Sequence, residues 1–279
     1  MTASPGRHWR MLVGALGIVF LSSALLSGMA VGADAPPDLR AIKEKGVLRI
    51  AITNFDIPPF HVRQPDGTYA GKDIQFARQL GDALKVRIVF DDTPTTFDGV
   101  VDAVASGRDD IGLSKLSQTY DRIAGVRFSS PYLTLQHALI YNRKTIAGLA
   151  KGGPPENALR DFAGRIGVIE ASAYVDFATD DYPKAQVVPF ATWGATIQAL
   201  KDGKIDMVYR DEFETRTVLI QDPAIHVEYG VAVLSDRRSF LAMAVCDSCA
   251  KLEEFINYFI AQHPGAYDLD RILTMHVTN

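Results

Sequence analysis

Two series of alternating strand-like and helical segments, joined by two long extended runs, constrain the fold of this chain more than any other feature. Residues 47–53 form an apolar, β-branched run typical of a buried strand, and residues 73–84 place apolar side chains at helical spacing. A second strand and a second helix follow at residues 86–90 and 97–105. Strands that alternate with helices in this way predict an open α/β sheet.

The alternation continues with a short strand at residues 110–113 and a helical turn at residues 119–123. It resumes after a predicted loop at residues 144–157, which contains the breaker sequence Gly-Gly-Pro-Pro. The second series has predicted strands at 165–169, 186–188 and 205–209 and predicted helices at 174–179, 192–200 and 212–220. The sequence therefore predicts two α/β units in tandem.

The extended runs, at residues 133–141 and 227–245, lie on either side of the second unit, and an amphipathic helix at residues 249–261 follows. This order predicts that the chain leaves a first lobe, builds a second lobe and returns. We therefore expect a discontinuous first lobe (34–134 plus 237–279), a second lobe (135–236) and a two-strand hinge between them.

The N-terminus has the order of residues that is typical of a secretory signal. Arg7, His8 and Arg10 precede residues 11–33, which carry no charge, and small side chains at 31 and 33 suit a signal peptidase. We expect a signal peptide at residues 1–33 and cleavage before Asp34. The alternative is an uncleaved membrane anchor, because the uncharged run is nearly long enough to span a bilayer.

Composition and charge exclude several classes of protein. With 47% hydrophobic residues the chain has enough apolar side chains to build a core, so disorder is excluded. The net charge is −4, and removal of residues 1–33 takes away two arginines and no acid. With no basic stripe in the remaining chain, we expect no nucleic-acid partner.

Two cysteines, Cys246 and Cys249, stand in a C-x-x-C spacing. The spacing is shared by disulfides, redox-active pairs and half of a zinc site. There is no second cysteine pair to complete a zinc site, and oxidation is the default outside the cytoplasm. A disulfide is the favoured interpretation, a redox-active pair is the alternative, and we expect no metal and no cofactor. Because no cysteine precedes Cys246, the exported chain is expected to carry no lipid anchor and to be free in the periplasm.

The sequence resembles the family 3 solute-binding proteins of bacterial ABC importers, which capture polar amino acids. The likeness covers nearly the whole chain after residue 33. It is carried by GVLRI at 46–50, PPF at 58–60, DG at 66–67, GKD at 71–73, FD at 97–98, SQTYDR at 117–122, FSSPY at 128–132, GV at 167–168, KDGKID at 201–206 and Asp211.

The resemblance implies a two-lobe periplasmic-binding-protein-like fold of type II. In this fold each lobe is an open mixed α/β sheet flanked by helices, and two strands form the hinge. It also implies that the chain is a monomer that captures an amino acid or related small carboxylate between the lobes. The membrane permease of an ABC importer is the partner that it implies.

A zwitterionic ligand needs a partner for each of its charges when it is buried. By resemblance, Arg122 clamps the ligand carboxylate and Ser117 caps it. Ser114 and Lys115 line the same edge of the cleft. A planar guanidinium is suited to binding both carboxylate oxygens. By the same resemblance, Asp211 binds the ligand ammonium. For Arg122 the alternative is a surface arginine on a short helix. For Asp211 the alternative is a role as helix N-cap, which is compatible with ligand binding.

Phe97 matches the family's aromatic residue that packs on the ligand, with ordinary core packing as its alternative. Two departures from the family pattern affect the ligand. Ile57 replaces an aromatic residue on the other side of the ligand, and Ala173 replaces a threonine that assists the carboxylate, a role for which Ser172 is the candidate. Lys115, Arg210 and Glu170 are further charged candidates for the cleft, and extra cations beside Arg122 would favour a ligand with additional negative charge.

Two other functions remain open from the sequence. The same fold resembles cyclohexadienyl dehydratase, an enzyme that needs a carboxylic acid with a raised pKa to protonate a leaving hydroxyl. At the position where the resemblance gives the dehydratases a glutamate, this chain has Asp211. Aspartate is the shorter acid and is typical of the binding proteins. A stand-alone ligand sensor is the third possibility, since related lobes are fused to membrane kinases. We expect a binding protein and no enzyme.

Overall fold

The computed structural model describes residues 37–265, 267–268 and 272. The predicted signal peptide at residues 1–33 and its cleavage site lie outside the described residues. Within the described ranges, no helix combines the length and the apolar character needed to cross a bilayer.

Strands and helices alternate along the chain. The strands are β1 Val47–Ala51, β2 Val62–Arg63, β3 Tyr69–Ala70, β4 Arg87–Asp91, β5 Ile111–Gly112, β6 Arg127–Phe128, β7 Leu133–Asn142, β8 Arg165–Ile169, β9 Gln186–Phe190, β10 Met207–Asp211, β11 Tyr229–Leu241 and β12 Ala244–Val245. The helices are α1 Pro37–Lys45, α2 Lys72–Leu84, α3 Phe97–Ala105, α4 Tyr120–Gly125, α5 Arg143–Ala150, α6 Pro155–Arg160, α7 Ala173–Asp181, α8 Trp193–Lys201, α9 Glu212–Gln221, α10 Ile225–Glu228 and α11 Ala250–Gln262.

Five of the strands form a first mixed sheet in the order β4-β1-β5-β12-β6. β1 runs parallel to β4 and to β5, whereas β12 runs antiparallel to β5 and to β6. The short strands β2 and β3 pair with each other in a separate hairpin. We call the part of the chain built on this sheet, the described residues before β7 and after β11, the first half.

A second mixed sheet has the order β11-β7-β10-β8-β9, and we call the part of the chain built on it the second half. Its parallel strands are β10, β8 and β9, while β7 lies antiparallel to both β10 and β11. The two sheets thus share one plan, three parallel strands followed by an antiparallel strand. The predicted α/β class with two mixed sheets is confirmed.

The long strands β7 and β11 carry the chain into and out of the second half. They pair from Asn142 opposite Tyr229 to Leu133 opposite Leu241, with a register shift between Leu234 and Arg238. The predicted lobe boundaries, 134/135 and 236/237, fall inside these two strands. As exact domain limits they stay a prediction.

Both faces of the second sheet are buried, because successive side chains of a strand point to opposite faces. Leu139 and Met207 pack in one apolar cluster, and the adjacent Ile140 and Val208 pack in another. The first half has its own core, which also takes in Ile169 and Phe213 from the second half. The two halves therefore pack against each other.

Several predicted elements have the observed bounds, among them the helix at 97–105 and the strand at 165–169. The predicted loop at 144–157 is wrong, because α5 and α6 occupy most of it. Asn142 caps α5 by accepting a hydrogen bond from the Thr145 amide at 3.0 Å, and Ile146 is buried beneath the helix. Pro155 lies at the start of α6, where a missing N–H costs nothing.

The extended run predicted at 227–245 is also interrupted. Its first residues belong to α10, and two residues separate β11 from β12, so the run contributes to both sheets. The segment before β1 forms α1 over the described residues Pro37–Lys45.

Candidate ligand-binding site

A cavity of about 250 Å³ lies where the two halves meet. Small-molecule sites commonly enclose about 300–1,000 Å³, so this cavity suits a small ligand. The first half contributes Phe55, Asp56, Ile57, Pro58 and Phe97 to its wall, and the second half contributes Ile169, Ala191, Thr192, Trp193, Gly194, Arg210 and Glu214.

Aromatic rings form much of the wall. Phe97 is the first residue of α3, which begins there because Thr96 caps the helix by accepting a hydrogen bond from the Gly99 amide at 2.9 Å. The ring of Phe55 meets Phe97 edge to face, with the ring centroids 5.5 Å apart. Trp193 occupies the equivalent first position of α8 in the second half. The wall is therefore largely apolar, with aromatic residues from both halves.

Arg210 provides a buried cation at this cavity. Its side chain is only 6% exposed, and its guanidinium lies 5.5 Å from the ring centre of Phe97 and 5.0 Å from that of Tyr174. The Nε atom is buried and has no hydrogen-bond partner among the described residues. The nearest carboxylate oxygen, Oδ2 of Asp211, is 3.7 Å away. Arg210 thus keeps donor capacity at the edge of the cavity.

Behind the cavity, Lys115 of the first half forms ion pairs with two acids of the second half. Its Nζ atom lies 3.0 and 3.2 Å from the two oxygens of Asp211 and 2.7 Å from Oε1 of Glu214. The side chains of Lys115 and Asp211 are 2% and 3% exposed. Nζ also lies 5.1 Å from the ring centres of both Phe60 and Phe213. This group joins the two halves deep inside the molecule.

Asp211 also caps α9, because its Oδ1 accepts a hydrogen bond from the Glu214 amide at 3.0 Å. Burial raises the pKa of the Asp211 carboxyl, but the charges of Lys115 and Arg210 and the hydrogen bond from Glu214 outweigh that effect. The pKa of Asp211 therefore lies below its usual value, and the side chain is ionised at neutral pH.

Arg122 lies in the short helix α4, where Thr119 acts as N-cap by accepting a hydrogen bond from the Arg122 amide at 3.2 Å. Its guanidinium donates to Oδ1 of Asp98 from Nε at 3.0 Å and from Nη2 at 2.7 Å, and to the Ser117 carbonyl at 2.9 Å. The Arg122 side chain is 6% exposed, whereas that of Asp98 is 47% exposed. The Asp98 amide in turn donates to the Ala171 carbonyl of the second half at 3.1 Å.

A model of the bacterial extracellular solute-binding proteins, family 3, matches residues 48–182. The resemblance to family 3 of the bacterial solute-binding proteins is confirmed. The matched range runs from β1 through α7, so it includes strands and helices of both halves. The family 3 match therefore spans the Arg122 helix and the first half's side of the cavity.

Three proteins that are similar to this chain include two binding proteins and an enzyme. Cyclohexadienyl dehydratase of Pseudomonas aeruginosa is 29% identical over 214 residues, which is 75% of this chain and 74% of that protein. The L-cystine-binding protein TcyJ of Escherichia coli is 26% identical over 193 residues, which is 68% of this chain and 69% of that protein. The substrate-binding protein AbpA of Streptococcus pneumoniae, solved bound to L-arginine, is 24% identical, has a TM-score of 0.66 and covers 86% of this chain and 98% of its own.

The structure brings only some of the residues predicted from the family 3 resemblance to the cavity. Ile57 and Phe97 line it, and both are buried. Lys115 and Asp211 lie behind it and contact the lining residue Glu214. Arg122 binds Asp98 and is not among the lining residues, so its predicted contact with a ligand carboxylate stays a prediction. The cations beside Asp211 are Lys115 and Arg210.

The three predicted serines are buried but satisfy contacts inside the protein. Ser114 Oγ accepts a hydrogen bond from the Thr53 amide at 3.2 Å, and Ser117 Oγ lies 2.5 Å from Ser239 Oγ. Ser172 Oγ donates to the Ile169 carbonyl at 2.6 Å. These residues are not among those that line the cavity, and their predicted contacts with a ligand stay predictions.

Trp193 and Glu214 line the cavity and were not identified from the sequence as ligand contacts. Trp193 begins a helix, as Phe97 does, so the shared plan of the two sheets is the signal that points to it. Glu214 stands one helical turn after Asp211, where the cap geometry places it. Glu170, a further charged candidate, is exposed.

Cys246 and Cys249 form a disulfide that closes the turn before α11, with their Cα atoms 5.1 Å apart. The Cys249 amide donates to the Cys246 carbonyl at 3.0 Å in the same turn. Among the described residues, no group of three or more potential metal ligands is assembled.

Proposed function

We propose that this protein is the periplasmic solute-binding component of an ABC importer. In this proposal the chain is exported with a signal peptide that is cleaved after residue 33. The remaining monomer captures an amino acid or related small carboxylate in the cleft between the halves and delivers it to the membrane permease of the importer.

The observation that carries this proposal is a small cavity walled by both halves. Phe97 comes from the first half, and Trp193 and Arg210 come from the second half. A ligand that touches both halves binds the closed form of the protein more tightly than the open form. This difference in affinity shifts the equilibrium between the two forms toward the closed one. The closed molecule is then the form that a permease recognises.

The strands β7 and β11 support a hinge in this proposal. They are the segments through which the chain passes between the first sheet and the second. Closure then moves the lobe of residues 135–236 against the lobe of residues 34–134 and 237–279. In the closed arrangement the contacts Lys115–Asp211 and Asp98–Ala171 bridge the halves.

Thermal unfolding of residues 34–279 tests the proposal. A panel of amino acids, opines and small organic acids is added one at a time, and the melting temperature is recorded. A cognate ligand at a hundred times its Kd stabilises the protein by about 2.7 kcal/mol. For a chain of this size the expected rise is roughly 5–10 °C.

The role of Arg122 as carboxylate clamp is tested by Arg122→Ala, which is expected to abolish the shift. Arg165→Ala is the matched control, because Arg165 pairs with Asp206 in the second half, away from the cavity. An unchanged response in Arg122→Ala would remove the clamp assignment. A chain that responds to no member of the panel would contradict the binding proposal itself.

The similarity to cyclohexadienyl dehydratase favours one second candidate, an enzyme that removes water and carbon dioxide from prephenate or arogenate. Such a reaction needs a carboxylic acid that holds a proton at neutral pH. The lowered pKa of Asp211 leaves that carboxyl ionised, which supports binding over dehydration. Phenylpyruvate absorbance after incubation with prephenate would establish the enzyme, and its absence would dismiss it.

A further inference from the structure

We infer that the ligand of this cleft is a small carboxylate with an apolar body and no ammonium group beside the carboxylate, because Lys115 already supplies an ammonium to the acids of the site. This inference rests on the proposed binding function and narrows its ligand class.

The Lys115 ammonium uses all of its hydrogen-bonding capacity inside the protein. An ammonium has three donors, and Nζ has three acceptors within reach, both oxygens of Asp211 at 3.0 and 3.2 Å and Oε1 of Glu214 at 2.7 Å. The rings of Phe60 and Phe213, each 5.1 Å away, exclude water from its other sides. A ligand ammonium at Asp211 would have to compete with Lys115, and Asp211 is not among the residues that line the cavity.

The charges around Asp211 are balanced without a ligand ammonium. Two carboxylates, Asp211 and Glu214, face two cations, Lys115 and Arg210, and the side chains of these four residues are at most 13% exposed. A ligand ammonium placed against Asp211 would lie beside the Lys115 ammonium, and two like charges at one buried carboxylate repel each other. Asp211 is therefore an internal partner of Lys115 and not a receptor for an amino group.

A ligand carboxylate, by contrast, finds donors at this site. Arg210 lines the cavity, and its buried Nε has no hydrogen-bond partner among the described residues. Arg122 does not line the cavity, but its partner Asp98 follows the lining residue Phe97 in the chain; the Asp98 side chain is 47% exposed and can be solvated by water when a ligand takes its place. Guanidinium groups bind carboxylates with paired, charge-assisted hydrogen bonds. The wall also carries the acids Asp56 and Glu214, so Arg210 is the cation of the wall that can bind a ligand carboxylate.

The walls specify the rest of the ligand. Phe55, Ile57 and Phe97 from the first half face Ile169 and Trp193 from the second half. The space of about 250 Å³ fits a body of the size of a phenyl or branched aliphatic group. Small 2-oxo and 2-hydroxy acids with such side chains combine this apolar body with a carboxylate that has no neighbouring ammonium.

Isothermal titration of residues 34–279 with matched acids tests the inference. Each amino acid is compared with the 2-oxo and 2-hydroxy acids that carry the same side chain, phenylalanine with phenylpyruvate and 3-phenyllactate, and leucine with 4-methyl-2-oxopentanoate and its hydroxy counterpart. We expect the acids without an ammonium to bind at least tenfold more tightly than the matched amino acids.

Lys115→Met tests the cause of that preference. The substitution keeps the length of the side chain and frees Asp211 and Glu214, so the preference is expected to fall at least tenfold or to reverse in favour of the amino acids. Lys201→Met is the matched control, because Lys201 pairs with Asp222 at the surface and its substitution is expected to leave the preference unchanged. Arg210→Met is expected to weaken binding of the oxo acids at least tenfold.

Tighter binding of the amino acids by the unsubstituted protein would overturn the inference and leave the proposed function standing. Failure to bind any acid, with or without an ammonium, would overturn the proposed function and the inference with it. An unchanged preference in a folded Lys115→Met variant would overturn the role of Lys115. If circular dichroism shows that this variant is unfolded, the comparison in the unsubstituted protein decides the inference.

Discussion

Two ion pairs at the cleft, Lys115–Asp211 and Arg122–Asp98, differ in how much water reaches them. Both members of the first pair are buried, with side chains 2% and 3% exposed. In the second pair the arginine is 6% exposed and the aspartate 47% exposed. A pair with a hydrated member can exchange that member for a ligand at little cost, whereas breaking a pair buried on both sides leaves an unsolvated charge. The first pair is therefore part of the scaffold, and the second is replaceable.

The largest effect is expected from Lys115→Met, which removes one member of the buried pair. It leaves Asp211 and Glu214 without their cation, and we expect a loss of about 3 kcal/mol in the free energy of unfolding. Urea denaturation measures it. In the control Lys201→Met, the surface pair with Asp222 has side chains 39% and 40% exposed, so the expected loss is below about 1 kcal/mol. Equal losses of unfolding free energy in the two variants would show that the buried pair stabilises the fold no more than the surface pair does.

A second effect concerns Asp73, a buried acid close enough to Lys115 for its charge to lower the Asp73 pKa. Burial nevertheless raises the pKa of this carboxyl to about 6, and its Oδ1 accepts a hydrogen bond from the Tyr267 hydroxyl at 2.7 Å. Because the folded state holds this proton more tightly than the unfolded state, its contribution to stability is present at low pH and is lost as pH rises from about 4 to above 6.

From this shift we expect the unfolding free energy to fall by about 2–3 kcal/mol between pH 4 and pH 7 on account of Asp73. Asp73→Asn keeps an acceptor for Tyr267 and removes the titration, so its stability is expected to vary less over this range. Denaturation at pH 4.5, 5.5 and 7 provides the measurement. The same slope in both proteins would mean that Asp73 is not the source of the pH dependence.

A third effect concerns the helix that carries Arg122. Thr119→Ala removes the side-chain cap of α4 and is expected to cost about 1 kcal/mol of stability. It is also expected to weaken ligand binding severalfold, because Arg122 loses its fixed position. Thr119→Ser retains the hydroxyl and serves as the control. A ligand affinity that is equal in all three proteins would show that the Arg122 end of the cleft does not depend on this helix.

The smallest change in stability is expected from Asp98→Asn, which alters the exposed member of the replaceable pair. The unfolding free energy should change by less than about 1 kcal/mol. The affinity for a carboxylate ligand should rise, because Arg122 no longer has a charged competitor. Titration calorimetry beside denaturation separates the two quantities. A large loss of stability would place Asp98 in the scaffold together with Lys115.

Local elements of this fold could be predicted from the sequence, because the signals that define them lie within a few residues. The helix that begins after Thr96 and the strand at residues 165–169 depend on a cap and on a short apolar run. The helices α5 and α6 were missed because the Gly-Gly-Pro-Pro sequence draws attention to a break. The break is real but short, and it separates two helices.

The candidate site was less predictable, since its decisive contact joins residues that are far apart in the chain. Lys115 and Asp211 are 96 positions apart, and each was assigned by resemblance to a ligand and not to the other. Spacing along the chain does not encode which charges meet when two sheets pack together. The buried Nε of Arg210, which has no hydrogen-bond partner in the described part of the chain, was equally beyond the sequence, since its position follows from burial against Phe97 and Tyr174.

The pairing of Leu133 with Leu241 has a consequence for how the molecule can be rearranged. The chain enters and leaves the second sheet at directly opposite positions of two neighbouring strands, so the whole intervening segment is an insertion with adjacent ends. Insertions with adjacent ends are tolerated as modules, because their removal or exchange leaves a short gap to close. We therefore expect that the second half can be exchanged between relatives as one segment. Its cavity-lining residues would then face the first half of another protein.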